Sequence, residues 1–252
     1  MMYLEKGVTW LWITLFLLAI QWINRGHRLM VKVVLFDLGN TLISYYTRDE
    51  FPGVLENAIE NCITYLSSQE IGIKEDIWIN VQRNNHESPE NRVRPLGERL
   101  GDIFSINDPF TLDRLCGVFM EPILKTGNLH GDVIPTLKAL KKRGYFLGVV
   151  SNTPWGCPSC IWRRELIKHG FQEYLDVTVF CVDVGWRKPD ERIFQHVLDQ
   201  LDVCPSECMF IGDDPRWDIA GPEAMGIKSI LIDRTGKNSE AIHRLEETLN
   251  LL

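Results

Sequence analysis

Five short runs of mainly apolar residues recur along the chain and alternate with longer amphipathic stretches. Each run is almost continuously apolar, as expected for a strand that is buried on both faces of a parallel sheet. The predicted strands are residues 31–36, 146–150, 177–181, 208–211 and 229–232. Strands that alternate with helices in this way are typical of an α/β fold, here a Rossmann-like parallel sheet with helices on both faces.

The stretches between the later strands predict helices, because apolar residues recur at helical spacing and several stretches are followed by a glycine that can end a helix. These predicted helices are residues 133–143, 162–168, 191–201, 218–225 and 239–249.

The interval from residue 42 to about residue 128 breaks the alternation, because it holds helical patterns but no comparable strand. An insertion of roughly 85 residues is too long for a structureless loop, so we expect a separate, inserted helical cap. Its predicted helices are residues 54–66, 75–84, 97–104 and 109–123. The predicted organisation is a hydrophobic N-terminal extension at 1–29, a core domain formed by 30–45 and 129–252, and a cap at 46–128.

The N-terminal extension contains an uncharged run of 18 residues, 7–24, followed by Arg25, His27 and Arg28. A run of this length could span a bilayer with its basic flank inside, and membrane attachment is expected only through this segment. However, the first strand begins only about six residues later, which is tight for an anchor. We favour a start assigned too far upstream or an extension without function, and a cytoplasmic protein. A membrane anchor and a helix packed on the protein are the alternatives.

Composition excludes some classes of function and compartment. The 252 residues are 45% hydrophobic and carry a formal net charge of -7, with a pI near 5.4. This charge argues against nucleic-acid binding, which needs a clustered excess of Lys and Arg. The seven cysteines are odd in number and scattered, which favours a reducing cytosol over a disulfide framework.

Polar residues directly follow the first two predicted strands of the core. Asp37 follows strand 31–36, and Ser151 and Asn152 follow strand 146–150. Ligands of open α/β sheets bind at the carboxyl ends of strands, and hydroxyl and amide groups there can hold phosphate oxygens. Taken singly, each of these residues would also suit a turn or a helix cap.

Charged residues occupy the corresponding positions later in the chain. Lys188 directly precedes Pro189, which suits the first turn of a helix, so it could act as a fixed cation. Asp213, Asp214 and Asp218 follow strand 208–211, and carboxylates this close repel unless a cation compensates them. Mg²⁺ takes such hard oxygen ligands together with water and substrate phosphate. A solvated surface lysine is the simpler interpretation of Lys188 alone, and a polar loop is the alternative for the carboxylate cluster. The order of the four motifs along the chain argues against coincidence.

With these four motifs in this order, the chain resembles the haloacid dehalogenase-like hydrolase superfamily over about residues 31–235. The matching positions are Asp37 to Thr41, Ser151, Lys188 and the Asp213/Asp218 pair. The insertion after the first motif resembles the helical cap that many members carry. The resemblance implies a Mg²⁺-dependent phosphohydrolase that acts on a small phosphorylated metabolite.

The resemblance also implies roles for individual residues. Asp37 would attack phosphorus and form an aspartyl phosphate, while Ser151 and Lys188 would orient and neutralise the phosphoryl oxygens. The implied substrate-binding residues are Asn40, Thr41, Ser151, Asn152 and Lys188. The implied metal ligands are Asp37, the backbone carbonyl of Gly39, Asp213 and Asp218, the last through water or through a salt bridge to Lys188.

One departure from the family pattern concerns position 39. Similar phosphatases usually carry a second Asp two residues after the nucleophile, as general acid and base, but this chain has Gly39 there. The dehalogenases of the family also lack that Asp, so a 2-haloacid dehalogenase is one alternative. A low-activity binding or regulatory protein on the same scaffold is another. We favour the phosphatase, because the dehalogenases do not depend on Mg²⁺ and the carboxylate cluster suits a metal.

Four tryptophans lie close in sequence to the motif loops: Trp155, Trp162, Trp186 and Trp217. They could line a pocket for a hydrophobic or ring-bearing leaving group. Packing in the core or at an interface is the favoured interpretation for most of them.

Overall fold

The predicted five-stranded parallel sheet is confirmed by the computed structural model, which describes residues 30–47 and 49–252. Its strands are β1 (Val33–Phe36), β4 (Phe146–Ser151), β5 (Val177–Phe180), β6 (Cys208–Gly212) and β7 (Lys228–Leu231). The order across the sheet is β5-β4-β1-β6-β7, and all neighbours are parallel. β1 is apolar throughout because it lies at the centre of the sheet, where all four of its residues are fully buried.

Successive residues of β1 point to two different hydrophobic clusters, one on each face of the sheet. Val34 and Phe36 join the larger cluster, whereas Val33 and Leu35 join the smaller one. Alternate side chains of a strand point to opposite faces, so both faces are covered. The helices of this part of the chain are α5 (Val133–Lys142), α6 (Ser159–Lys168), α7 (Cys181–Val184), α8 (Glu191–Leu201) and α9 (Gly221–Ala224).

A two-stranded antiparallel ribbon, β2 (Ile43–Ser44) with β3 (Asn128–Leu129), flanks the inserted segment. Four helices lie between these strands: α1 (Phe51–Ser68), α2 (Ile77–Asn84), α3 (Leu96–Phe104) and α4 (Pro109–Lys125). They begin and end within three residues of the predicted helices. Leu55 and Ile59 of α1 and Phe119 of α4 are among the buried apolar residues through which these helices pack. Among residues 46–128 that the structure describes, β3 is the one named strand.

The loop that joins α2 to α3 lies against the loops of the sheet. Val93 N donates to Gly185 O at 2.9 Å, and Arg187 N donates to Asn91 O at 2.9 Å. The backbone of Arg94 comes so close to Gly156 that a Cβ on Gly156 would lie 2.3 Å from Arg94 O. The inserted segment is therefore joined to the core by this loop as well as by the ribbon.

Two helix predictions near the C-terminus are wrong in part. Residues 239–244 are not helical, and only Leu245–Asn250 forms a 3₁₀ helix. The carboxylate of Asp233 accepts hydrogen bonds from backbone N–H groups of residues 235, 237 and 238, and this favours a turn over a helix start. The helix predicted at 218–225 instead begins at Pro215 as a wide π-helical turn, Pro215–Ala220, and continues as α9.

None of the helices in the described part of the chain is long and apolar enough to cross a bilayer. The hydrophobic segment at 7–24, and with it the expected extension 1–29, lies outside the described residues.

Candidate active site

The carboxyl ends of the three central strands bring three of the predicted site residues together. Asp37 follows β1, Ser151 ends β4, and Asp213 follows β6. Phe36 at the end of β1 is in register with Val149 of β4 and Ile211 of β6, so the three chain segments leave the sheet side by side. This edge is where open α/β sheets bind ligands.

Lys188 is the centre of a buried network of charges. Its side chain is 1% exposed, and its Nζ lies 2.6 Å from Asp37 Oδ1 and 2.7 Å from Asp218 Oδ1. Burial alone would lower the pKa of Lys188, but the carboxylates of Asp218 and Asp37 outweigh it and raise that pKa. Ser151 Oγ donates to the same Asp37 Oδ1 at 2.9 Å. One oxygen of Asp37 is thus held by a cation and a hydroxyl group.

The backbone of Lys188 is held by a residue that the sequence placed among the substrate-binding candidates. Asn152 Oδ1 accepts from Lys188 N at 2.8 Å, and Asn152 Nδ2 donates to Lys188 O at 3.2 Å. Because both amide atoms are used in this way, Asn152 positions the lysine.

Three carboxyl groups form a cluster that could hold a metal ion. One carboxylate oxygen from each of Asp37, Asp213 and Asp218 lies within 4.8 Å of the others. Burial and the neighbouring Asp37 and Asp218 raise the pKa of Asp213 to about 8. Burial also raises the pKa of Asp218, to about 6, although Lys188 opposes this. One lysine does not balance three carboxyl groups, of which those of Asp37 and Asp218 are buried and that of Asp213 is partly buried. An all-oxygen donor set of this kind suits a hard divalent cation.

Asp218 is fixed by its own loop. Asp214 N donates to Asp218 Oδ2 at 3.0 Å, and the Asp214 carboxylate in turn accepts from Arg216 N and Trp217 N. Asp214 therefore caps the wide turn at Pro215–Ala220 and aims Asp218 at Lys188.

Of the remaining predicted residues, Asn40 and Gly39 line the cavity, whereas Thr41 does not. Asn40 lines the cavity in front of Asp37 with a left-handed backbone (φ 55°). Gly39 lines it as well, and a Cβ on Gly39 would meet nothing within 4 Å. Thr41 is fully buried and is not among the residues that line the cavity, so the structure does not support substrate contact there. Its carbonyl instead accepts hydrogen bonds from Arg234.

The cavity has a volume of about 730 Å³ and aromatic walls. Trp155, Trp162 and Trp217 line it, as the pocket interpretation predicted. Trp155 and Trp162 also belong to the buried hydrophobic core, as the favoured packing interpretation predicted. Trp186 does not line it, and the guanidinium carbons of Arg92 and Arg192 lie 4.9 and 3.5 Å from its ring centroid. Further aromatic lining comes from Tyr45, Tyr46 and Phe51.

Comparison with known proteins decides the family. The family model of haloacid dehalogenase-like hydrolases matches residues 31–226. The chain belongs to the haloacid dehalogenase-like hydrolases.

Relatives within these hydrolases differ in the reactions that their names state. A glyceraldehyde 3-phosphate phosphatase of Methanopyrus kandleri is 27% identical over 81% of this chain and 85% of its own length. A (S)-2-haloacid dehalogenase 1 of a Pseudomonas species is 34% identical, over 44% of this chain and 47% of its own length. A haloacid dehalogenase-type phosphatase of Thermococcus onnurineus, known from its crystal structure, has the same fold with a TM-score of 0.61. It is 24% identical, and the match covers 87% of this chain and 97% of that one.

This haloacid dehalogenase-like hydrolase also carries cavity residues that motif reasoning missed. Glu87, in the loop after α2, pairs with Arg187 at 2.9 Å and with the buried Arg99 at 3.2 Å. Asn85 in the same loop accepts from the indole Nε1 of Trp155 at 3.2 Å. No local signal marks Glu87 or Asn85, since their partners on the core lie far along the chain.

Proposed function

We propose that this hydrolase is a Mg²⁺-dependent phosphatase that cleaves small phosphorylated metabolites through an aspartyl-phosphate intermediate. The observation that carries this proposal is the ammonium group of Lys188, which bridges Asp37 and Asp218 beside Asp213. A buried cation next to a nucleophilic carboxylate and an acidic cluster suits the transfer of an anionic phosphoryl group.

In this mechanism Asp37 is the nucleophile. A carboxylate oxygen of Asp37 bonds to phosphorus while the bond from phosphorus to the ester oxygen breaks, and the alcohol leaves with a proton. Ser151 and Lys188 hold the other Asp37 oxygen at 2.9 and 2.6 Å, which fixes the direction of attack. When the substrate binds, the third N–H of the Lys188 ammonium group donates to a phosphoryl oxygen, and the single O–H of Ser151 turns from Asp37 to another phosphoryl oxygen. Water then attacks phosphorus and releases inorganic phosphate, which regenerates Asp37.

Asp37, the backbone carbonyl of Gly39, Asp213 and Asp218 would hold the Mg²⁺, with Asp218 acting through water because Lys188 already occupies one of its oxygens. When bound, the cation would neutralise these carboxylates and polarise the phosphoryl oxygens. The raised pKa of Asp213, about 8 through burial and two neighbouring carboxylates, supports a site that is short of positive charge.

Proton transfer to the leaving alcohol falls to water in this proposal. Gly39 provides no acid, and the space in front of its Cα is open. Substrates with good leaving groups should therefore react faster than simple alkyl esters.

We further propose that residues 46–128 act as a cap that closes over the substrate, with the core at 30–45 and 129–252. The β2–β3 ribbon is the natural hinge, and the loop of Asn85 and Glu87 reaches the cavity from the cap side. All seven cysteines are free thiols, which supports a cytoplasmic location.

Release of inorganic phosphate from an aryl phosphate, with and without Mg²⁺, tests the proposal. Activity that needs Mg²⁺ and is abolished by Asp37→Asn supports it. Activity that persists in excess chelator contradicts the metal assignment, and Mg²⁺ binding without turnover of any ester indicates a binding protein on the same scaffold.

Gly39 favours a second candidate, a hydrolase that displaces a halide from 2-haloacids, since a halide needs no proton to leave. In that reaction Asp37 attacks carbon in place of phosphorus. Chloride release from 2-chloropropionate without added metal supports this candidate, and its absence from a panel of haloacids removes it.

A further inference from the structure

Much of the cavity wall is built from aromatic rings that pack against other rings. Tyr46 and Phe51 have ring centroids 5.6 Å apart, and Trp162 packs edge-on against Tyr45 at 5.4 Å. Trp155 stacks on the buried Phe119 at 5.4 Å. Such surfaces are rigid and favour flat or ring-shaped ligands over flexible chains.

Charge at the cavity argues against a second anionic group on the substrate. Among the described residues that line it, the cations of Arg and Lys are Arg187 and Lys188, and both are already in ion pairs. The same lining carries five carboxyl groups, those of Asp37, Glu87, Asp213, Asp214 and Asp218. Even a bound divalent cation would leave the formal charge of this set negative, so a carboxylate or second phosphate would meet repulsion.

Tyr45 offers one polar contact within the aromatic wall. Its side chain lines the cavity, and its hydroxyl group is buried with no hydrogen-bond partner in residues 30–47 or 49–252. A buried hydroxyl without a partner is costly, and an uncharged oxygen on a ligand would relieve that cost.

We propose that the cavity selects phosphate monoesters whose alcohol part is an uncharged ring. This inference rests on the proposed phosphatase function and names its substrate class. The ring lies against the aromatic wall, and the phosphoryl group lies at Asp37. An oxygen substituent on the ring reaches Tyr45.

Three esters with similar leaving alcohols test separately whether the alcohol part must be a ring and whether it must be uncharged. Benzyl phosphate carries the ring, propyl phosphate lacks it, and para-carboxybenzyl phosphate adds a charge to it. We expect benzyl phosphate to exceed propyl phosphate in kcat/KM by about tenfold, from the added ring atoms alone. The carboxybenzyl ester should fall below benzyl phosphate by at least about fivefold, because like charges meet in a partly desolvated cavity.

Two cavity variants and one control variant test whether this preference comes from the cavity. Phe51→Ala should reduce the benzyl preference, whereas Phe110→Ala, at a phenylalanine that is 74% exposed and lies outside the cavity lining, should not. Glu87→Gln removes a negative charge and releases Arg187. The carboxybenzyl ester should therefore gain about threefold in kcat/KM relative to benzyl phosphate in this variant.

Calorimetry can measure how the same esters bind to the Asp37→Asn variant in the presence of Mg²⁺. This binding measurement separates failure of this inference from failure of the proposed function. Turnover or binding of all three esters without preference overturns the inference and leaves the phosphatase proposal standing. Tighter binding of benzyl phosphate without turnover by the unaltered protein supports the substrate class and contradicts the phosphatase. If the esters are neither turned over nor bound, both this inference and the phosphatase proposal are overturned.

Discussion

A Cβ atom added to Gly212 would lie 2.4 Å from the carboxyl carbon of Asp218, so the Asp218 side chain occupies the space that a side chain at position 212 would need. Gly212 is the last residue of β6 and is buried. The absence of a side chain at position 212 is therefore what allows Asp218 to reach Lys188.

Gly212→Ala should displace Asp218 and with it the ammonium group of Lys188. We expect phosphate release to fall by at least about 100-fold, since a shift of about 1 Å in a catalytic group can cost that much. Gly117→Ala is the control, because a Cβ at that exposed helix position meets nothing within 4 Å, and its activity should be unchanged. Equal activities of the two variants would mean that Asp218 does not position Lys188.

Lys188→Met should destabilise the metal-free protein, because it leaves Asp37 and Asp218 buried without their cation. Breaking a buried ion pair in this way costs about 3–5 kcal/mol in the free energy of unfolding. Urea unfolding in a buffer with chelator measures this loss. Lys125→Met, at a lysine 74% exposed that pairs with the 58% exposed Glu121, should cost about 0–1 kcal/mol. A similar loss for both variants would contradict the central role of Lys188.

Gly39→Asp should accelerate the phosphatase on alkyl phosphates, because its carboxyl group would enter open space beside Asp37. Positioned acids and bases contribute about 10²–10⁴-fold, so a gain of at least about tenfold in kcat is expected even from imperfect geometry. Gly39→Asn has nearly the same shape but cannot transfer the proton. The two variants are compared on propyl phosphate, and an equal rate for both would show that proton transfer does not limit the reaction.

Asp132 should contribute a stability that depends on pH. Its Oδ2 accepts from Arg234 Nη1 and Leu245 N, each at 2.6 Å. Burial would raise the pKa of Asp132, but these hydrogen bonds and the charge of Arg234 outweigh it and lower that pKa below 3.8. A lowered pKa in the folded state stabilises the protein above the pKa of the unfolded chain, and this stability is lost as pH falls through the folded value.

Asp132→Asn should therefore reduce the free energy of unfolding at neutral pH by about 1.5–3 kcal/mol, the range for hydrogen bonds to charged groups. The difference from the unaltered protein should shrink as pH falls below about 4. Denaturant unfolding at several pH values measures it, with Asp113→Asn on the exposed side of α4 as the control. A difference that stays constant with pH would show that the charge of Asp132 is not what stabilises the fold.

The strands and most helices could be predicted because their patterns are local. The five predicted strands agree with the observed ones to within two residues at each end, since a strand buried on both faces is apolar throughout. Helix prediction was wrong at 239–244, where the hydrogen bonds to Asp233 favour a turn. At 218–225 the prediction missed the earlier start at Pro215, which depends on the cap formed by Asp214.

The site could be predicted only as far as its residues follow strands. Order along the chain placed Asp37, Ser151 and Lys188 near one another, because the ends of parallel strands meet at one edge. The contacts of Arg234 and Glu87 could not be predicted in this way, because no strand pattern marks them. Arg234 binds the carbonyl of Thr41, 193 residues away, and Glu87 pairs with Arg187 across the chain. Contacts of this kind arise from the packing of the whole fold.

The Asn152 side chain accepts a hydrogen bond from Lys188 N and donates one to Lys188 O, so the course of this loop is set without the lysine side chain. The loop should keep its course when that side chain is exchanged. Side chains with shorter or longer amines could be introduced at position 188, so that the positive charge moves stepwise along one line. The reaction rate could then be measured as a function of the position of that charge alone.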